Sequence, residues 1–360
     1  MNQLKLESDF PKPRGPLQGV RVLELAHIMA GPVCGLMLAD LGADVIKVEK
    51  MPGGDDTRRM IPPKVGEESA AFMMMNRNKR GIAVNLKQEQ GKEILRKLVA
   101  EADVLIENYR HDTMKKLGLG YDELKQINPG LVYCEISGFG RSGPFMEQGG
   151  FDLIAQGMSG LMSITGEEQG RSPVKVGAPL TDITAGILGA LGAVSALVQR
   201  NASGQGQKVD TSLFEAGIVH TYWQSAICLA TGVSPGPMGS AHPLNAPYQT
   251  FRTRDGWINV GAANQRNWER LLEVLGVPAM GSDPRFEDNH GRMDNLKPLE
   301  EELNKVFETR TTKEWLDRLA EVGVPSGPVL DIQEMHRHPQ TQARQTVSYT
   351  HLTLPTKALV

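Results

Sequence analysis

The first strong apolar run, Val20, Val22, Leu23 and Leu25, has the length of a buried strand and gives way at Ala30-Gly31-Pro32 to an Ala/Leu/Gly stretch that reads as a helix. A β-branched run over residues 43–48 closes a βαβ unit, which predicts a parallel sheet with a ligand crevice at the strand carboxyl ends, where residues 27–32 lie. The alternation continues: a strand at 81–86, a helix at 88–101, and strands at 102–107 and 131–136. This rhythm predicts a doubly wound α/β sheet. Residues 182–200 form an apolar helical pattern in which Gly186, Gly189 and Gly192 permit close approach by a neighbouring helix or a ligand. A turn at 204–210 leads into another strand, and 212–231 reads as one long apolar helix.

The Gly/Pro-rich segment 232–247 interrupts this pattern and predicts the end of a large domain, residues 1–231. Beyond it, strands at 248–251 and 257–260 flank Arg254-Asp255-Gly256, and helices follow at 265–275, 299–308 and 312–322. These define a smaller α+β domain, 232–330. A C-terminal segment, 331–360, remains; its last stretch, 348–360, has no apolar period and is expected to be a foreign or truncated end.

Composition narrows the class of function. The 360 residues are 40% hydrophobic and 22% charged, which is ordinary for a globular protein, and a net charge of −3 supplies no global basic field for nucleic acid. Anion binding must therefore be local. Cys34, Cys134 and Cys228 show neither CxxC spacing nor histidine pairing, which predicts inert thiols in a reducing interior rather than a disulfide framework or a zinc site. The N-terminal residues lack the apolar segment of a signal peptide, and no uninterrupted apolar run reaches membrane-spanning length, so a cytoplasmic location is expected.

Two carboxylates are candidates for chemistry. Asp182, in LTDITAG, stands where the glycine-rich helix begins; it reads either as a helix N-cap, the commoner role, or as a nucleophile held ionised by helix-end amides. Asp152 reads as a cap on the segment from Leu153, and Phe151 beside it cannot act as a base. Cations gather in three loops: Lys50 with Arg58 and Arg59; Arg77, Lys79 and Arg80; and Arg110, Lys115 and Lys116. Each reads as a solvated face or as partners for the phosphates of a nucleotide-like ligand. Gly53-Gly54-Asp55-Asp56 suggests capping or solvated carboxylates more than a metal turn. There is no GxGxxG or Walker pattern.

The ordered series HIMAGP, LGADVIKVE, GGDDTR, NRNKR, IENY, SGFGRSGP, LTDITAG, GQGQKVD and HPLNAPYQTF spans nearly the whole chain and resembles the family III CoA-transferases, the CaiB/BaiF family. The resemblance implies a Rossmann-like large domain, a small domain, and two ring-like chains interlocked as a homodimer. It implies Asp182 as the catalytic nucleophile and His27, Ile28, Met29, Lys50, Arg77, Lys79, Asn108, Tyr109 and Lys116 as the coenzyme A-binding positions. Coenzyme A or acyl-CoA is then a substrate beside a carboxylic acid, with no tightly bound cofactor, no metal, and neither nucleic acid nor membrane as partner. The implied reaction moves CoA from a donor such as succinyl-CoA to a carboxylic or dicarboxylic acid through anhydride and aspartyl-CoA thioester intermediates. The alternatives are a 2-methylacyl-CoA racemase or epimerase, whose histidine position is occupied here by Phe151, and a non-catalytic CoA-binding scaffold. The family's glycine-rich active-site loop corresponds to residues 238–247, which hold few glycines, and its closing segment is not recognised after Val347.

Overall fold

A computed structural model describes residues 15–344, so the expectation for 348–360 falls outside the described residues. Up to residue 221 the chain runs β1 (Arg21–Leu25), α1 (Ala30–Asp40), β2 (Asp44–Lys50), a short pair β3 (Lys64–Val65) and β4 (Glu68–Ser69), α2 (Ala70–Asn76), β5 (Lys79–Val84), α3 (Glu89–Val99) and β6 (Val104–Glu107). It continues through α4 (Thr113–Lys116), α5 (Tyr121–Ile127), β7 (Val132–Ser137), α6 (Asp152–Met158), α7 (Leu161–Ile164), α8 (Leu180–Ser203), β8 (Lys208–Ser212) and α9 (Leu213–Val219).

Six of these strands form one parallel sheet in the order β5-β2-β1-β6-β7-β8. The strand order reverses direction between β1 and β6, which opens a crevice at their carboxyl ends. Period-two alternation explains the packing. Val45, Val22, Val104 and Val132 stand in register across four strands and face α1 and α8, sharing a core with Cys34, Leu38, Ala185 and Ala193. Leu23, Leu25, Leu105 and Tyr133 point the other way, onto α3 and α5, with Leu95, Val99 and Leu124. Two residues along from the valine row, the α1 face carries Lys47 and Glu24, paired in register and only 2% and 0% exposed. Charge replaces hydrocarbon there.

The 24-residue helix α8 is long and apolar enough on average to cross a membrane, although Asp182, Thr184, Ser195, Gln199 and Arg200 interrupt its apolar run. Its alanines and glycines raise the average. In this fold they pack instead against α1 and the sheet, the position of a core helix.

The described residues divide into two compact units: one of residues 15–161, 175–221 and 339–344, and another of 162–174 and 222–338. The helix expected over 212–231 is broken into α9 and α10 (Tyr222–Thr231), and α10 groups with the second unit. The backbone breaks at the polar pair His220-Thr221, whose amides turn back onto the carbonyls of Gly217 and Ile218. Residues 162–174 join the second unit, where the Gly239 amide donates to the Gly166 carbonyl at 2.9 Å.

The second unit adds strands β9 (Tyr248–Arg252) and β10 (Trp257–Gly261), helices α11 (Gln265–Leu275), α12 (Asn289–Asp294), α13 (Leu296–Phe307) and α14 (Thr312–Glu321), and strand β11 (Ser326–Pro328). Its antiparallel sheet, ordered β11-β10-β9, packs Phe251 and Ile258 with Trp268, Phe307 and Trp315. Arg292 is buried with them because it donates to the carbonyls of Ala246 and Phe286 and lies over Trp268.

Candidate active site

The crevice between β1 and β6 is closed by a reciprocal pair of hydrogen bonds. The His27 amide donates to Asn108 Oδ1 at 3.0 Å, and Asn108 Nδ2 donates to the His27 carbonyl at 2.9 Å. His27 also faces Asp56 at 3.5 Å and the Tyr109 ring at 5.8 Å. Five of the expected positions, His27, Ile28, Met29, Asn108 and Tyr109, therefore gather at the topological switch point.

Lys50, Tyr109 and Lys116 meet a short distance away. They line a cavity of about 330 Å³ whose walls include Val48, Val84, Leu86 and Leu117. An apolar slot with cations at its edge suits a flat heteroaromatic ring carrying phosphates. Lys50 is half-exposed and pairs with Asp56 at 2.8 Å; Lys116 is exposed. The other two expected cations are turned elsewhere. Arg77 pairs with Asp40. Lys79 is buried, with its ammonium on Glu24 at 2.7 Å and on the Pro32 carbonyl at 2.8 Å, and burial pulls its pKa down to about 8 despite Glu24. Neither the solvated-face reading nor a direct phosphate partner describes Lys79.

Asp182 and Asp152 are both placed differently from their expected caps. Asp182 is the third residue of α8, whose N-cap position is Pro179, and its side chain makes no cap bond. Asp152, in the first turn of α6, does the capping, but of the other helix: its Oδ1 accepts from the Thr181 amide at 3.0 Å and from Thr181 Oγ1 at 2.8 Å. Gln156 Nε2 donates to the second oxygen at 2.8 Å. Among the described residues neither carboxylate forms an ion pair. Burial, and secondarily the charge of Asp152, push Asp182 up to about 7.

Gly186 sets where this carboxylate stands. A Cβ there would lie 2.6 Å from the Ala30 carbonyl oxygen and 2.7 Å from Val33 Cβ, so α8 rests directly on the first turn of α1. Asp182 is one turn earlier, on the end of α8 nearest the loop that leads from β1 into α1.

CoA-transferase family III matches this sequence over residues 17–358. The chain belongs to that family. It is 41% identical over 347 residues to the succinate–glutarate CoA-transferase of Agrobacterium fabrum, covering 94% of this chain and 86% of the relative. It is 40% identical over 339 residues to the acetyl-CoA:oxalate CoA-transferase of Acetobacter aceti, covering 94% and 87%. The crystal structure of a CaiB/BaiF family protein from Brucella suis superposes with a TM-score of 0.86 at 40% identity, covering 96% of this chain and 92% of that one.

In this CoA-transferase several polar groups escaped the reading of the sequence. Glu24, Lys47 and Asp55 are buried together, and the first two could have been noticed as charges inside apolar strand runs. Burial raises Glu107 to about 7 even though Arg141 Nη2 donates to it at 2.8 Å. Asp55 does the capping expected of Gly53-Gly54-Asp55-Asp56, accepting from the Thr57 amide at 2.9 Å. Cys34 and Cys134, distant in sequence, meet beside Gly189, and the contact with Cys134 together with burial keeps the Cys34 thiol protonated.

Proposed function

We propose that this family III enzyme transfers CoA from an acyl-CoA donor to a dicarboxylic acid with Asp182 as nucleophile. The observation that carries the reading is an unneutralised, half-buried carboxylate at the start of α8 whose pKa is raised to about 7. Such a group is a stronger nucleophile than an ordinary aspartate while still substantially ionised at neutral pH. An Asp182 oxygen attacks the donor thioester carbonyl, and CoA thiolate leaves as a mixed anhydride forms. Thiolate then attacks the aspartyl carbonyl, releasing the donor carboxylate and leaving an Asp182–CoA thioester. The acceptor carboxylate runs the two steps in reverse, and Asp182 is regenerated. Exclusion of water protects both activated species.

Residues 27–29, Asn108 and Tyr109 bind the CoA chain at the switch point, and the cavity edged by Lys50 and Lys116 takes its nucleotide end. The relatives named for glutarate and oxalate support a dicarboxylic acceptor, and succinyl-CoA is the proposed donor. Phe151, which is 72% exposed, supplies no base where a racemase needs one. The exposed apolar stripe of α8, Ile187, Leu191 and Val198, supports a homodimer in which a second copy covers it. The proposed location is the cytoplasm. Incubating the protein with succinyl-CoA and a panel of dicarboxylic acids, with mass spectrometry of the CoA esters, tests the assignment. New dicarboxyl-CoA is expected; no exchange with any donor and acid pair would overturn it.

A further inference from the structure

The segment from Ala26 to Pro32, the β1–α1 loop with the start of α1, is gripped at both ends and in the middle. Ile28, a β-branched residue, has a φ of 68°, in the left-handed region that such residues avoid because Cβ crowds the following carbonyl. Its amide donates to Asp55 Oδ1 at 3.2 Å, and the same oxygen accepts from Thr57 N and Oγ1 at 2.9 and 2.8 Å. Behind it, Lys47 Nζ meets Asp55 Oδ2, Glu24 Oε1 and the Ala26 carbonyl, each at 2.8 Å. Glu24 passes the interaction on to Lys79, which holds the Pro32 carbonyl. Two carboxylates and two ammonium groups sum to zero charge, so loss of any one member leaves an uncompensated buried charge. Gly35 makes room for it, because a Cβ there would stand 1.9 Å from Glu24 Oε2.

A backbone held against its own preference marks a place where the surroundings dictate conformation. We propose that Asp55 is a positioning residue for acyl-CoA binding: backed by Lys47, it holds the Ile28 amide and so fixes residues 27–29 in the shape that receives the CoA thioester. The inference rests on the reading that residues 27–29 contact CoA. Asp55 itself does not touch the substrate; it acts through Ile28.

The test compares the full-length protein with Asp55→Ala and Asp55→Glu. The second keeps the negative charge opposite Lys47 and moves the acceptor away from the Ile28 amide, so it remains informative if the first does not fold. Circular dichroism and thermal melts establish folding. CoA and succinyl-CoA binding are read by calorimetry without an acceptor acid, and KM and kcat separately. Either folded variant is expected to bind about tenfold more weakly, with KM raised in parallel and kcat within about threefold of wild type, since the nucleophile is untouched. In an Ile28→Gly background, where glycine adopts positive φ without a Cβ penalty, the same Asp55 substitutions should cost at most about threefold relative to Ile28→Gly alone, a rescue of the positioning loss. A purely structural role for Asp55 predicts no such rescue. Unchanged affinity in the folded variants, or an equal loss with and without Ile28→Gly, would overturn the proposal. Wild-type protein that binds CoA thioesters but transfers nothing would remove the transferase reading alone, and turnover with affinity indifferent to Asp55 would remove the positioning role alone.

Discussion

Glu24 and Asp55 are almost wholly buried, yet each lies within 2.8 Å of an ammonium group, whereas Asp182 feels the charge of Asp152 and, among the described residues, neither of these two pairs with a cation. The consequence is a divergence of proton affinity within one unit of the fold. Burial would raise Asp55, but the Lys47 charge and the Thr57 donors overcome it and bring it to about 2. At Asp182 burial acts unopposed and Asp152 adds to it, giving about 7. Neutralised carboxylates shape the loop. The unneutralised one is left reactive, which is the division expected between a scaffold and a nucleophile.

The comparison is broken most severely by removing the reactive member. Asp182→Ala should lower transfer by at least about 10⁴-fold while leaving CoA binding close to wild type. Retained turnover in a coupled assay would place the chemistry elsewhere. Next in size is the scaffold. Lys47→Met leaves Glu24 and Asp55 without their shared partner, and a broken buried pair costs about 3–5 kcal/mol, so urea unfolding should show a loss of that order. A loss under about 1 kcal/mol would mean that the chain is far better solvated than its burial implies.

Opposite pH signatures sharpen the contrast further. Asp55, depressed from 3.8 to about 2, contributes stability that is present above pH 4 and lost as pH falls through 2. Asp182, raised from 3.8 to about 7, carries a penalty that is absent below pH 4 and grows until pH exceeds 7. Asp182→Asn should therefore be more stable than wild type at pH 8, by on the order of 2 kcal/mol after solvent screening, and the gain should vanish near pH 4. A gain independent of pH would contradict the assignment. In the same spirit, Asp152→Asn keeps an acceptor for Thr181 but removes the charge, and should move the acidic limb of kcat/KM below 7 by about one pH unit. The smallest effect is expected at the cavity edge: Lys50→Ala and Lys116→Ala should each raise the acyl-CoA KM about tenfold with little change in kcat, as measured by steady-state kinetics.

The inner sheet was legible because a strand buried on both faces announces itself as an apolar run, as at 102–107 and 131–136, which correspond to β6 and β7; the expected strands at 43–48 and 81–86 correspond to β2 and the exposed edge strand β5. Glu24 and Lys47 stood in plain view inside such runs, but that they face one another follows from strand register, which a single strand does not reveal. The break after Val219 was hidden because apolar residues resume directly after His220 and Thr221, with no Gly or Pro between to mark it. The exchange of caps was hidden for a different reason. Local statistics attach an aspartate to its own helix, whereas the bond from Thr181 to Asp152 spans 29 residues. Lys79 looked like its neighbours Arg77 and Arg80 and was separated from them only by the pocket Glu24 provides.

The central claim is that an Asp182 oxygen forms every covalent intermediate, and trapping that intermediate tests it most directly. Protein incubated with succinyl-CoA and then hydroxylamine, digested, and analysed by mass spectrometry should carry a hydroxamate on Asp182 and on no other carboxylate, with none in Asp182→Ala. A hydroxamate at Asp152 or elsewhere, or turnover without any trapped aspartate, would contradict the account.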